Sequence, residues 1–199
     1  MNILGISAFD HDSSACLLQD GKVVSAAQEK QFTRRKQDAS FPKNAIDYCL
    51  RRGGLEEKNP DFVVLDNKPL LKFERLQETA LAYAPLGVRA FMEAIPRWTK
   101  EELRLNELVG EALKFEGDIL FAERHEAYAA ALFFPSPFRE AAFLIVDGEG
   151  EWATASFGAG KDNHIQIEAQ MHFPHSLGMV YTALARRLGF DVDFDDRGM

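Results

Sequence analysis

Residues 2–30, NILGISAFDHDSSACLLQDGKVVSAAQEK, decide the fold. Residues 3–8 and 14–18 read as two apolar strands, and 22–27 as a third. The second bend is Asp20-Gly21, the pair that suits a tight hairpin turn whose two central residues take positive φ. The first bend is different. His11-Asp12-Ser13-Ser14 sets an imidazole and, with Asp10, two carboxylates between apolar strands. A plain hairpin needs none of these groups, so this loop is expected to hold something.

Beyond it, Phe41-Pro42 leads into KNAIDYCLRRGG. Ala45, Ile46, Cys49 and Leu50 share one face of this helix, and Gly53-Gly54 closes it. Residues 61–67 read as a short apolar strand. Residues 70–116 are largely helical by composition, with breaks expected at Pro85 and Pro96. DILFAE (118–123) is a further buried strand, and RHEAYAAALFF a helix ended by Pro135. From residue 141 the opening order returns: AAFLIVD, the turn GEGE, WATASFGAG and HIQIEAQ. Phe173-Pro174 then leads into SLGMVYTALARRLGF, with Ser176 as N-cap and Leu177, Val180, Tyr181, Leu184 and Leu188 on one face. The two series are offset by about 130 to 140 residues, an internal duplication.

Three meandering strands, a helix and further buried strands give a mixed sheet with helices on its faces. Two such units predict an α/β fold of duplicated ribonuclease H-like sheets, the architecture of actin, Hsp70 and sugar kinases. The first half spans 1–138 with the helical insert 70–116; the second, 139–199, is expected to be truncated, because the chain stops at DVDFDDRGM just after a helix. In that architecture the first hairpin of each half turns into a cleft. The His11 loop and Asp147-Gly148-Glu149-Gly150-Glu151 are then expected to face one ligand site, with Gly148 and Gly150 allowing close approach and positive φ.

Composition narrows the partners. The chain has 199 residues, 46% hydrophobic and 27% charged, with a net charge of -8. That balance argues against nucleic acid or an anionic membrane as the main partner. Arg34-Arg35-Lys36 is a local basic exception. Cys16 and Cys49 sit in apolar runs and read as buried thiols, with no zinc-ligand spacing around them. No apolar run approaches membrane-spanning length and no leader is evident, so the cytoplasm is the expected compartment. Trp98, Trp152 and most of the sixteen Phe residues are expected in the core.

Several stretches in order resemble the nodulation-type and antibiotic O-carbamoyltransferases. They are the opening strand–loop–strand segment, FTRRKQDASFPKNAIDYCL, HEAYAAALFFPSPF, LIVDGEGEWATASFG and FPHSLGMVYTALARRLGF. The resemblance runs from residue 1 to about 190, the helical middle excepted, and marks the chain as the N-terminal part of a transferase domain. It implies that a C-terminal domain, absent from this chain, makes carbamoyl adenylate from carbamoyl phosphate and ATP. The N-terminal domain then passes the carbamoyl group to a hydroxyl of a sugar or other small molecule, near a divalent metal such as Fe2+.

The resemblance also assigns residues. His11 and Asp12 match a His-Asp loop, where a neutral imidazole serves as base or acceptor beside the attacking hydroxyl; a turn-capping histidine is the plainer alternative. Asp10 either contacts the acceptor or ends a strand. Lys36, with Arg34, matches a cationic stretch that meets the phosphate of the adenylate, the alternative being a solvated basic loop. Glu149 and Glu151 either bind acceptor hydroxyls or amines, or form an acidic turn. At the metal site the chain departs from the family. Arg124 and Tyr128 stand where a His-x-x-x-His pair is usual, which leaves Asp147, Tyr128 and His125 as the donors. Either the metal is lost, or the Arg124 charge replaces it at the phosphate. Two other readings stay open. One is a sugar kinase of the same superfold, which the missing Gly-rich loop after the first strand disfavours. The other is a non-catalytic relative that binds a ligand or partner.

Overall fold

The computed structural model describes residues 1–9, 12–55, 59–100 and 102–190. Among the described residues eight strands and seven α-helices follow in chain order: β1 (Asn2–Ser7), β2 (Ser14–Gln19), β3 (Lys22–Gln28), α1 (Lys30–Thr33), α2 (Lys43–Arg52), β4 (Phe62–Leu65), α3 (Pro69–Ala82), α4 (Val88–Lys100), α5 (Leu105–Leu113), β5 (Ile119–Phe121), α6 (Arg124–Phe133), β6 (Glu140–Val146), β7 (Ala153–Lys161), β8 (His164–His172) and α7 (Leu177–Arg187). They pack as two compact units, Met1–Asn67 with Ala94–Ala122, and Lys68–Glu93 with Glu123–Met199. Packing thus divides the chain elsewhere than the repeat of element order, whose boundary falls after residue 138.

The first unit is built on one five-stranded sheet of order β3-β2-β1-β4-β5. The β1–β2 and β2–β3 pairs are antiparallel, and the β1–β4 and β4–β5 pairs are parallel. This is the mixed sheet expected of a ribonuclease H-like half. Asp20 and Gly21 both take positive φ (49° and 76°), as their turn requires. Alternation places Leu4 and Ile6 of β1, Ala15 and Leu17 of β2, and Val63 and Leu65 of β4 in one core. That core is closed by Ala45, Ile46 and Cys49 of α2 and by Leu105 and Val109 of α5. Trp98 is buried as expected. Both thiols are free, Cys49 is buried, and burial pushes each thiol pKa up.

The start of α2 has no capping side chain from its own N-cap, Pro42. Glu29, 2% exposed at the end of β3, does the work instead. Its carboxylate accepts the backbone N–H of Asn44 at 3.3 Å and of Ala45 at 2.9 Å. A carboxylate at a helix N-terminus satisfies orphan donors and complements the dipole.

The second unit carries the antiparallel meander β6-β7-β8. Its central strand is lined with small buried residues, Ala153, Thr154, Ala155 and Ser156. Ser176 caps α7 as expected, accepting Met179 N–H at 3.1 Å and donating to the Gly148 carbonyl at 2.7 Å. The order β1-β2-β3-α2 recurs as β6-β7-β8-α7, so the chain is a duplicated α/β protein of the expected class.

Four expectations need correction. The helix α4 continues through Pro96. Pro96 and Met92, whose carbonyl loses its donor, are both exposed, so water can satisfy that carbonyl. Gly148 and Gly150 are not in the left-handed region; among the described residues the left-handed glycines are Gly21, Gly54, Gly87 and Gly189. At Gly150 only close approach holds, because a Cβ would lie 2.6 Å from the Ala153 carbonyl oxygen. The Phe residues are not mostly core: Phe32, Phe134, Phe138, Phe157 and Phe190 are exposed. Finally, Glu151 is buried in helix capping, as detailed below. Among the described residues no helix is long and apolar enough to cross a membrane.

Candidate functional site

The strand β6 delivers Asp147 at its end. The Asp147 N–H donates to Thr154 O at 2.9 Å, and Oδ1 accepts the Gly148 N–H at 2.7 Å. Its other oxygen, Oδ2, is buried without a hydrogen-bond partner. On α6 of the same unit, His125 is 1% exposed. Its Nδ1 lies 2.5 Å from Ser156 Oγ on β7, and Gln170 Nε2 on β8 donates to the same oxygen at 3.2 Å. Like Asp147 Oδ2, His125 Nε2 is buried and unpartnered. A buried polar atom without a partner costs free energy, so each such atom calls for an explanation. Burial holds the His125 pKa below the ordinary histidine value, against the opposing pull of the Asp147 and Glu151 charges. The imidazole is therefore neutral at pH 7. Beside it opens a cavity of about 200 Å³ lined by His125, Glu123, Glu151, Trp152, Gln170 and His172.

Glu151 fixes the N-termini around this cavity. It is 5% exposed. One oxygen accepts the Lys68 N–H at 3.0 Å, ahead of α3, and the carboxylate accepts the Arg124 N–H at 3.2 and 3.3 Å, at the start of α6. It is a structural anchor rather than an acceptor-binding carboxylate. Glu149 is also engaged: its Oε2 pairs with Arg75 Nη1 at 3.0 Å. Tyr128 stacks beside His125, ring centroids 6.4 Å apart at 25°, and is 39% exposed. Arg124 is half-buried at the first position of α6.

In the first unit, Asp12 sits at φ 59° and its Oδ1 pairs with Lys30 Nζ at 2.8 Å. The next residue, Ser13, is buried and locks the loop through backbone bonds to Asp38 O at 2.9 Å and from Glu29 N at 2.8 Å. Asp38 ties down the segment after α1. Its carboxylate accepts Ser40 N–H at 3.1 Å and the hydroxyls of Ser40 and Thr33, bonds that hold its pKa below the usual range. Arg34 and Lys36 are exposed on that segment. Asp10 and His11 lie outside the described residues.

Within the second unit the structure therefore brings together His125, Asp147 and Glu151, and adds Ser156 and Gln170, which sequence reading missed. Single polar residues inside apolar strands and helices carry no spacing signal. The one hint available was that Ser156 is polar where β7 runs mostly small and apolar; Gln170 falls in the polar phase of the alternating β8 and gave none.

Known proteins extend this picture. The family described as Carbamoyltransferase N-terminus matches residues 2–198. The chain belongs to that family. Among curated relatives it is 48% identical over 200 residues to the uncharacterized protein sll1178 of Synechocystis sp., covering 96% of this chain and 32% of that protein. It is 26% identical over 193 residues to the nodulation protein NolNO of Sinorhizobium fredii, covering 96% of this chain and 27% of that protein. The chain spans about a third of the length of the curated relatives it matches. Among solved structures, YeaZ from Pseudomonas aeruginosa is similar with a TM-score of 0.41 at 13% identity, over 98% of this chain and 71% of that one. A Ppx/GppA family member from Aquifex aeolicus is similar with a TM-score of 0.35 at 14% identity, over 92% and 54%.

Proposed function

We propose that the protein carrying this chain is an O-carbamoyltransferase. It moves a carbamoyl group from carbamoyl adenylate to the hydroxyl of a sugar or other small molecule. The adenylate is formed from carbamoyl phosphate and ATP on an adenylate-forming domain outside this chain. The observation that carries the reading is the family match along residues 2–198; the likeness to a nodulation protein over 96% of the chain supports it.

In the reaction the acceptor oxygen attacks the carbamoyl carbon, the bond from that carbon to the phosphate oxygen breaks, and AMP leaves. The hydroxyl proton passes to a base. His11 is the candidate base, and its sequence neighbour Asp12 pairs with Lys30. Lys36 and Arg34 offer cations to the leaving phosphate. Asp10 is a candidate contact for the acceptor, as is the Glu149 oxygen not engaged by Arg75.

The donor set fits a divalent cation in part. His125 Nε2 and Asp147 Oδ2 are the imidazole and carboxylate atoms such an ion takes, and both are buried without a protein partner. Among the described residues no three of His, Cys, Asp and Glu gather to hold a metal, so Tyr128 or donors from outside this chain would have to complete the set. When bound, such an ion supplies positive charge at a developing oxyanion. The second reading is a non-catalytic relative, favoured by Arg124 and Tyr128 at the usual histidine positions.

Carbamoyl transfer assayed with carbamoyl phosphate, ATP and a panel of sugars separates the two. We expect the complete protein to release AMP and carbamoylate an acceptor, and the 199-residue chain alone to be inactive with the same donors. Failure of the complete protein across the panel overturns the transferase reading. Turnover by the 199-residue chain alone overturns its division of labour. Metal analysis of the complete protein is expected to find Fe or Zn, lost in His125→Ala.

A further inference from the structure

The five-stranded sheet of the first unit has two unlike faces. On the core face Leu4, Leu17, Val63 and Leu65 are buried. The strand register defines the other. Cys16 pairs with Gly5 and with Ala26, Gly5 with Val64, and Val64 with Leu120, so these five form one row across the sheet. In a parallel row Ile3 stands between Leu18 and Phe62. None of these residues is buried: Leu120 is 49% exposed, Ala26 is exposed, and the others are half-buried. At the centre of the sheet, a Cβ added to Gly5 would meet one heavy atom within 4 Å, the Cys16 carbonyl oxygen at 3.7 Å. Among the described residues, no side chain packs on the middle of β1 from this side.

Parallel strand pairs occur almost only where both faces of the sheet are covered, and the covering layers are helical. Here β1, β4 and β5 run parallel, and α2 and α5 close the core face. The opposite face carries Ile, Leu, Val, Phe and Cys and no charged side chain in either row, the composition of a sheet face that packs rather than one that meets water. The chain matches a family described as an N-terminus, and most of the length of its curated relatives lies beyond the matched stretch.

We infer that this face is the seat of a helical layer contributed by the part of the same protein that lies outside these 199 residues. The layer sets apolar side chains against Ile3, Cys16 and Val64. Its backbone comes closest over Gly5, because a glycine inside a strand lets another chain approach. The inference does not rest on the transferase reading. It concerns what completes the first unit, and a failure of carbamoyl transfer leaves it standing.

Photocrosslinking within the complete protein tests it. One variant carries Ala26→p-benzoylphenylalanine and another Leu120→p-benzoylphenylalanine, the two ends of the row, and the crosslinked peptides are identified by mass spectrometry. Two positions keep the test decisive where one bulky substitution impairs folding. We expect crosslinks at monomer mass to residues outside 1–199, with captured residues about three or four apart, the spacing of one helix face. Charge gives a second reading. Ala26 and Leu120 are exposed here, where substitutions are usually close to neutral, yet Ala26→Arg and Leu120→Arg are each expected to lower the denaturant midpoint of the complete protein. The inference is overturned if neither position crosslinks outside 1–199, whether the product is a dimer of two copies, an internal link or none. It is also overturned if both arginine variants keep the midpoint, and captured residues two apart overturn the helical layer.

Discussion

His125 and Glu151 show how single residues set the chemistry of the second unit. Burial makes His125 a neutral base whose pKa lies below that of the unfolded chain. The sign follows: the native state resists protonation, so stability is full above the unfolded value of about 6.5 and is lost as pH falls below it. Urea unfolding from pH 7.5 to 5 is expected to show this loss, and to show less of it in His125→Gln. NMR titration is expected to place the His125 midpoint below the ordinary histidine value of about 6.5; an equal or higher midpoint contradicts the burial argument. Asp38 behaves as the usual carboxylate. Its depressed pKa means that its contribution is present above the unfolded value and lost as pH falls through the folded one. None of this was legible in the sequence. The residues were visible, but which of them would be buried, and beside what, depends on packing partners far along the chain.

At the scale of elements, the two halves solve the same problem with different residues. Each meander must launch a helix after a Phe-Pro pair, and each helix start needs its N–H groups satisfied. At α2 the buried Glu29 carboxylate meets that need from β3; at α7 the Ser176 hydroxyl meets it locally. Ser176 could be read from sequence because a cap lies beside its own helix. Glu29 could not, because it lies fourteen residues before α2 and only the fold brings it there. Glu29→Ala is expected to destabilise the protein by about 2–3 kcal/mol, through two N–H groups left unmet, measured as a shift in the denaturant midpoint. Gly178 is a second point of dependence. A Cβ there would lie 2.4 Å from the Asp147 carbonyl oxygen, so α7 seats on the loop that carries the candidate donor. Gly178→Ala is expected to cost about 1–3 kcal/mol; an unchanged midpoint would mean that α7 shifts freely against Asp147.

For the whole molecule, the strand order, the duplication and the helical faces were legible because period and turn chemistry are local properties. What the faces pack against was not. The first unit closes its core around Leu4, Leu17, Ile46, Val63 and Val109, each essentially inaccessible. In the second, the expected apolar face of α7 is bare: Leu177, Val180, Tyr181, Leu184 and Leu188 are each more than half exposed, and Leu144 and Phe157 of the meander are exposed as well. Burial of apolar area is the main favourable term in folding, so the two units differ in local stability. Amide hydrogen exchange on the 199-residue chain is expected to be slowest in β1, β2 and β4 and at least about tenfold faster in β8 and α7. Bare apolar surface on that scale also binds hydrophobic dyes and drives self-association. The substitution Leu184→Glu, which puts a charge on that face, is expected to reduce both without changing exchange in β1. Equal protection in the two units, or dye binding unaffected by Leu184→Glu, would show that the α7 face is covered in solution by contacts within the chain itself.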